Sequence, residues 1–169
     1  MLWRDRRNVR RGRRLARLNS AAIAYPDVAL DVSFTDRMVN LVEEGFDAAV
    51  RISSLEDSSL IARKLANVRA ATIAAPQYLA KKGTPQVPDD LHNHEAIIDL
   101  NMTDPYTWTF RAGSKQLKVR VNGRLHFGDP YISLAAARAG FGIARVPDFV
   151  IPNNLKSGEL VRLLEKYEP

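Results

Sequence analysis

Residues 25–52, YPDVALDVSFTDRMVNLVEEGFDAAVRI, carry the clearest periodicity in the chain. Val28, Leu30, Val32 and Phe34 alternate with Ala29, Asp31 and Ser33, the period of two of a strand with one buried face. Thr35 or Asp36 is then placed to cap a helix, because a short side-chain oxygen accepts a hydrogen bond from an unpaired first-turn amide. Met38, Val39, Leu41 and Val42 give that helix an apolar face. Gly45 tolerates the left-handed backbone that ends a helix, and residues 46–52 read as a second strand. A strand, helix, strand unit predicts two parallel strands in an α/β fold.

Upstream of this stretch, residues 1–12 show no periodicity and read as a solvated, disordered basic arm. The first 17 residues hold eight arginines and one aspartate, so the net charge of +6 resides there and the remainder is close to neutral. The arm reads either as a phosphate-binding tail or as an unstructured leader, including one translated from an unsuitable start. The neutral body gives no reason to place nucleic acid on the domain surface. Leu15, Leu18 and Ala22 suit a helix over 13–24, stopped at Tyr25-Pro26.

Downstream, residues 53–59 are a polar loop, and 60–75 alternate only loosely, as one long strand or two short ones. Pro76 and Gly83 bracket a short helix. Residues 85–94 read as a loop with one turn, 96–100 as an apolar strand and 101–105 as a polar loop. Tyr106, Trp108 and Phe110, then Leu117, Val119 and Val121, flank Ala112-Gly113-Ser114 as a β-hairpin. Asp129-Pro130 reads as an N-cap followed by proline at the first helical position, with Gly140 ending the helix after Ala139. A buried strand over 142–146, a short helix ended by Gly158 and a strand over 160–164 complete the series.

Chemistry is mostly excluded. The 169 residues contain no cysteine, hence no disulfide, thiol nucleophile or thiolate metal site. His92-x-His94-Glu95 has metal-binding side-chain types but only His126 as a further histidine, so no metal is expected. Gly140-Phe141-Gly142 closes a helix and enters a strand, the reverse of a dinucleotide loop. There is no Gly-x-Ser-x-Gly elbow, P-loop or evident acid/base pair, so no catalytic residue, cofactor or enzyme activity is expected. Trp108 and Phe110 beside Arg111 could mimic a nucleic-acid stacking surface, but their alternation favours core packing. No run of 18 apolar residues exists and the N-terminus lacks a signal-peptide core, which predicts a soluble, unexported, cytoplasmic chain with no membrane contact.

Tyr25-Pro26, Thr35-Asp36-Arg37, Leu41-Val42-x-Glu44-Gly45-Phe46-Asp47 and Ala49-Val50-Arg51-Ile52 follow one another in an order that carries a resemblance. It continues through Asp57-Ser58-Ser59-Leu60, Arg63-Lys64-Leu65, Ala75-Pro76-x-Tyr78-Leu79, Gly83-x-Pro85 and Pro88-x-Asp90-Leu91-x-x-His94. Trp108-x-Phe110, Gly123-Arg124-Leu125, Ala139-Gly140-x-Gly142-Ile143-Ala144 and Val146-Pro147 extend it. In order and spacing over about residues 13–169, the chain resembles the effector-binding domain of LysR-type transcriptional regulators.

That resemblance implies a two-lobed α/β domain of type II periplasmic-binding-protein architecture with two inter-lobe crossings. The first lobe would comprise about 13–72 and 148–169 and the second about 73–147. It implies a bend at Asn122-Gly123 followed by a strand, in place of a hairpin. It also implies an effector cleft drawing on Thr35, Asp36, Arg37, Arg51, Asn101, Gly128 and Asp129, with Thr35 and the amides near Asp129 holding a small organic carboxylate. The bland alternative is that Thr35 and Asp129 only cap helices while Arg37 and Arg51 pair with Asp36, Asp47 or Asp57.

Arginines stand where the family has its first strand, and the family's winged helix-turn-helix is missing from these residues. The expected function is therefore effector sensing for a bacterial transcription regulator, by a truncated chain that meets DNA only indirectly. The expected partners are a second copy, docked through the helix over 36–44, or a full-length regulator. The alternatives are a stand-alone solute-binding protein, an enzyme on the same scaffold, and a non-sensing fragment of a broken regulator gene.

Overall fold

The computed structural model describes residues 20, 23–29, 31–33, 40–50, 52 and 61–168. Contacts divide the chain into two units, 1–35 and 36–169. In the first, Ser20, Ile23 and Ala24 are helical and Tyr25 leaves the helix, as the proline at 26 requires. The described residues of the expected strand over 28–34 join no ladder, and Val28 and Val32 are exposed.

In the second unit, residues 41–45 form a single turn. Gly45 has φ +72°, Phe46 N donates to Leu41 O (2.9 Å) and Gly45 N to Val42 O (3.3 Å), the pair of bonds that closes a helix C-terminus. Asn40 Oδ1 accepts from the amides of Val42 (3.2 Å) and Glu43 (3.5 Å), so this turn starts at Asn40. The expected strand over 46–52 is absent from its described residues, and Val42 and Val50 are 73% and 84% exposed. An alternating pattern supplies one apolar face but not the neighbouring strand whose amides and carbonyls must complete the ladder. Residues 61–69 are likewise not strand.

From residue 70 onward the order of elements follows the sequence reading. A five-stranded sheet has the order β5-β2-β6-β1-β7, formed by β1 (Ala70–Ala74), β2 (Glu95–Asp99), β5 (Asn122–Phe127), β6 (Ile143–Pro147) and β7 (Val161–Leu163). β2 runs parallel to both β5 and β6, whereas β1 is antiparallel to both β6 and β7. The second sheet is the expected hairpin, β3 (Thr107–Ala112) with β4 (Lys115–Arg120). The helices are α1 (Pro76–Lys82), α2 (Pro130–Arg138) and α3 (Pro152–Lys156), with 3-10 turns at Pro88–Asn93, Asp148–Val150 and Glu165–Tyr167.

The sheet is covered on both faces, which is why β1 and β2 read as nearly continuous apolar runs. On one face, Ala74, Ala96, Ile98, Ile143 and Leu163 pack with Trp108, Phe110 and Val119 of the hairpin and Tyr78 and Leu79 of α1. On the other, Ala71, Ile73, Ile97, Ala144 and Val146 pack with Leu134 and Ala137 of α2 and with Val150, Ile151 and Leu160. Residues 148–168 thus lie on the same sheet as 70–147, with β7 beside β1, and not in a separate first lobe as the sequence division had it.

β2 is held by two close backbone approaches. A Cβ on Gly123 of β5 would lie 1.7 Å from the Ala96 carbonyl oxygen, and one on Gly142, before β6, 2.4 Å from that of Glu95. The register shift in the β2–β5 ladder falls between Glu95 and Ile97, beside that first contact. Since the obstructing atoms are backbone, relief requires the strands to part. Gly123→Ala is therefore expected to lower stability by at least about 3 kcal/mol, the upper range for overpacking. Urea unfolding of the two proteins checks it, and a loss below about 1 kcal/mol would contradict the close approach.

Candidate functional site

The carboxyl ends of the parallel strands β2 and β5 meet the start of α2, the place where open α/β sheets bind ligands. Asp99 and Phe127 are paired at the ends of the two strands, and Leu100 N continues the ladder to Phe127 O (2.9 Å). The loop after β2 then turns back on itself. Asp99 Oδ1 accepts from Asn101 N (2.9 Å), and Asn101 Nδ2 donates to Gly128 O (2.6 Å). One asparagine thereby ties the loop after β2 to the residue preceding the N-cap of α2.

At that N-cap, Asp129 Oδ1 accepts from Tyr131 N (2.7 Å) and Ile132 N (3.4 Å), while Asp129 O accepts from Ser133 N (3.1 Å). Pro130 has no amide to offer. The early donors of the helix are thus taken by Asp129 itself, an arrangement worth about 1 kcal/mol to the helix. The positive end of the helix dipole thus already faces a carboxylate.

The electrostatics point the same way. Asp99 titrates above the ordinary aspartate range, chiefly because burial penalises its charge; the Asn101 amide opposes this and the nearby Asp129 charge adds to it. This end of the sheet is acidic and offers acceptors. Among its groups, Asn101 Oδ1 takes no hydrogen bond from a described residue.

Of the seven residues expected in the cleft, Asn101, Gly128 and Asp129 are brought together. Thr35, Asp36, Arg37 and Arg51 lie outside the described residues. Asp99 was missed; its signal was the aspartate closing the apolar run AIID before a polar loop.

The other polar cluster around β2 lies at its opposite end. There Glu95 N donates to Tyr78 Oη (2.9 Å), and Tyr78 Oη meets His94 Nδ1 (3.2 Å). His92 Nδ1 bonds to Asp89 O (2.8 Å). His92 and His94 are thus engaged in bracing the 3-10 turn and α1. Among the described residues no group of three potential ligands converges as a metal site. A depression of about 370 Å³ lined by Lys82, His92, His94 and Arg124 opens broadly to solvent here, away from the strand carboxyl ends.

Comparison with known proteins places this geometry. The sequence profile of the LysR substrate binding domain matches residues 13–169. An HTH-type transcriptional regulator of Haemophilus influenzae is 32% identical over 144 residues, 85% of this chain and 50% of that protein. The HTH-type transcriptional regulator CrgA of Neisseria meningitidis is 35% identical over 144 residues, 83% of this chain and 46% of that protein. This chain spans about half the length of the curated relatives it matches. Among solved structures, CrgA superimposes with a TM-score of 0.72 at 29% identity, over 92% of this chain and 53% of that one. The regulatory domain of AphB from Vibrio vulnificus gives 0.73 at 25% identity, over 92% and 78%.

Because the fold disfavours the charged form of Asp99, its ionisation costs stability above its raised pKa, and that cost vanishes below the unfolded value of about 3.9. Asp99→Asn keeps an acceptor for Asn101 N and removes the charge. Its melting temperature is expected to exceed that of the wild type at neutral pH, with the two converging below about pH 4. Equal melting curves at pH 7 would refute the cost.

Proposed function

Because the chain belongs to the LysR substrate-binding-domain family, we propose that it senses a small organic effector at the carboxyl ends of β2 and β5 for a bacterial transcription regulator. The observation that carries this reading is the Asn101–Gly128 bond, which fixes the loop after β2 to the start of a capped helix. A group that binds between them bears on both elements at once and favours the arrangement it fits.

The chemistry of this end selects the effector's contact. Asp99, Asp129 and the Asn101 carbonyl oxygen, which no described residue engages, all accept hydrogen bonds, so a hydroxyl, amide or ammonium fits and a carboxylate is repelled. A carboxylate elsewhere on the effector would be held by other residues, for which Thr35, Arg37 and Arg51 are the candidates.

LysR-type regulators bind small-molecule effectors, form oligomers and bind DNA. Residues 4–17 carry arginines without the spacing of a helix, turn and recognition helix. Sequence-specific contact with DNA is accordingly assigned to a partner or segment outside these 169 residues, and the chain acts through association with a second copy or a longer regulator.

A thermal-shift screen of hydroxylated and amino-bearing metabolites against wild type and Asn101→Ala tests the reading. A ligand that stabilises the wild type should bind the variant more weakly by about 1–3 kcal/mol, the range for one hydrogen bond left unmade in a site. Equal affinity for both proteins would remove Asn101 from the site.

A further inference from the structure

The near-neutral sum of charge over the body of the chain conceals a segregation that the β3–β4 hairpin exposes. Residues 105–128 hold five cations, Arg111, Lys115, Lys118, Arg120 and Arg124, and no aspartate or glutamate. The register pairs Thr107 with Arg120, Thr109 with Lys118 and Arg111 with Gln116. Because side chains alternate across a strand, these six share one face of the hairpin, while Trp108, Phe110 and Val119 point the other way into the core. Arg111, Gln116, Lys118 and Arg120 are exposed, and none of the three cations makes an ion pair or side-chain hydrogen bond with a described residue. Lys115, at the tip of the hairpin, is exposed as well.

The stability of the hairpin does not account for this face. Lys118 lies diagonally across from Arg111 and two residues from Arg120, and like charges at neighbouring ladder positions cost stability. Pairing with an acidic neighbour, the ordinary fate of a surface cation, has no carboxylate to use on the hairpin itself. Charge that only guards a strand edge against pairing needs no single sign. The composition of the face selects its partner instead. Arginine, lysine, threonine and glutamine are side chains that bind phosphate oxygens. The face carries no apolar residue, whereas a protein interface is built around a desolvated apolar or aromatic core. It also lacks an aromatic on which an unpaired base could stack, since Trp108 and Phe110 are buried. A row of cations with neutral hydrogen-bonding residues beside them therefore fits the backbone of a duplex, which is a dense array of phosphates.

We propose that the outward face of the β3–β4 hairpin, through Arg111, Lys118 and Arg120, is a docking surface for the phosphate backbone of duplex DNA. The contact is independent of sequence and leaves base reading to a partner. It lies on a different sheet from the strand ends at Asn101 and Gly128, so it goes beyond the effector reading and needs no effector bound. For a regulator held on DNA by another segment or chain, this surface adds affinity for flanking duplex without changing which sequence is chosen.

The test is the salt dependence of binding by the full chain, without effector, to two duplexes of unrelated sequence. The arginines of residues 4–17 are common to every protein compared, so differences report the substituted positions. Each phosphate contact adds about 0.9 to the slope of log K against log salt on B-DNA, so Arg111→Gln, Lys118→Gln and Arg120→Gln together should flatten the slope by about 2 to 3 on both duplexes alike. Lys64→Gln, Lys81→Gln and Lys156→Gln together remove the same charge from exposed positions elsewhere and should leave the slope within about 1 of the wild type. A hairpin variant with the wild-type slope, one altered no more than the control variant, or a loss confined to one duplex overturns the proposal. So does a hairpin variant that loses binding to poly-L-glutamate but not to duplex, which would mark the face as a dock for an acidic protein segment. Should the hairpin variant not fold, amine labelling of the wild type decides. Protection of Lys115 and Lys118 by duplex, with Lys64, Lys81 and Lys156 labelled as before, supports the surface; labelling of Lys115 and Lys118 unchanged by saturating duplex refutes it. Neither measurement involves an effector, so failure here leaves the reading of the Asn101 site standing.

Discussion

The packing of β2 between two parallel neighbours is the constraint on which the rest of this structure depends. Gly123 and Gly142 let both neighbours approach to distances at which any side chain would collide with the Ala96 and Glu95 carbonyls. With β2 held there, its carboxyl end and that of β5 finish level, Asp99 opposite Phe127. That alignment places the loop after β2 within hydrogen-bonding reach of Gly128 and the cap of α2. The candidate site is a consequence of strand register, and its parts come from positions about thirty residues apart only because β2 and β5 are parallel.

The antiparallel strands β1 and β6 form the other half of the framework. Their small residues, Ala71, Ala74 and Ala144, allow a helix on one face and a hairpin on the other to pack close to the sheet. β7 extends the sheet beyond β1, and the turn that follows brings Glu168 back onto Arg162. Leu164 enters that turn with φ +54°, a conformation that favours glycine, while its side chain is buried in the hairpin-side core. Packing of Leu164 and Tyr167, together with the largely buried Arg162–Glu168 pair, holds the backbone in that shape.

Charge divides the two polar regions of the domain into opposite types. Where β2 and β5 end, two aspartates and an amide oxygen present acceptors, and the helix start is already neutralised by its own cap. In the middle of β1 and β6, Arg145 Nε and Thr72 Oγ1 are buried without a hydrogen-bond partner among the described residues.

Residues 70–168 were legible in the sequence because their signals are local and agree with one another. The hairpin announced itself by alternation around Ala112-Gly113-Ser114, α2 by Asp129-Pro130 at one end and Gly140 at the other, and the short strands by apolar runs between breakers. The parallel course of β5 after Asn122-Gly123 came from the family resemblance, since the dipeptide alone suggests a hairpin. Over 25–52 the same kind of local signal misled. Alternation and a capping glycine are present, and Gly45 does close a turn, but no strand forms among the described residues. A strand exists only where another strand accepts its hydrogen bonds, and a one-dimensional pattern cannot supply that partner. The site divides in the same way. Asn101, Gly128 and Asp129 could be named from the sequence, as could the capping role of Asp129. That Asp99 stands beside this cap with its charge penalised by burial, and that Arg145 Nε is buried without a partner among the described residues, were decided by tertiary structure alone, because burial and charge proximity arise only when distant strands are brought side by side.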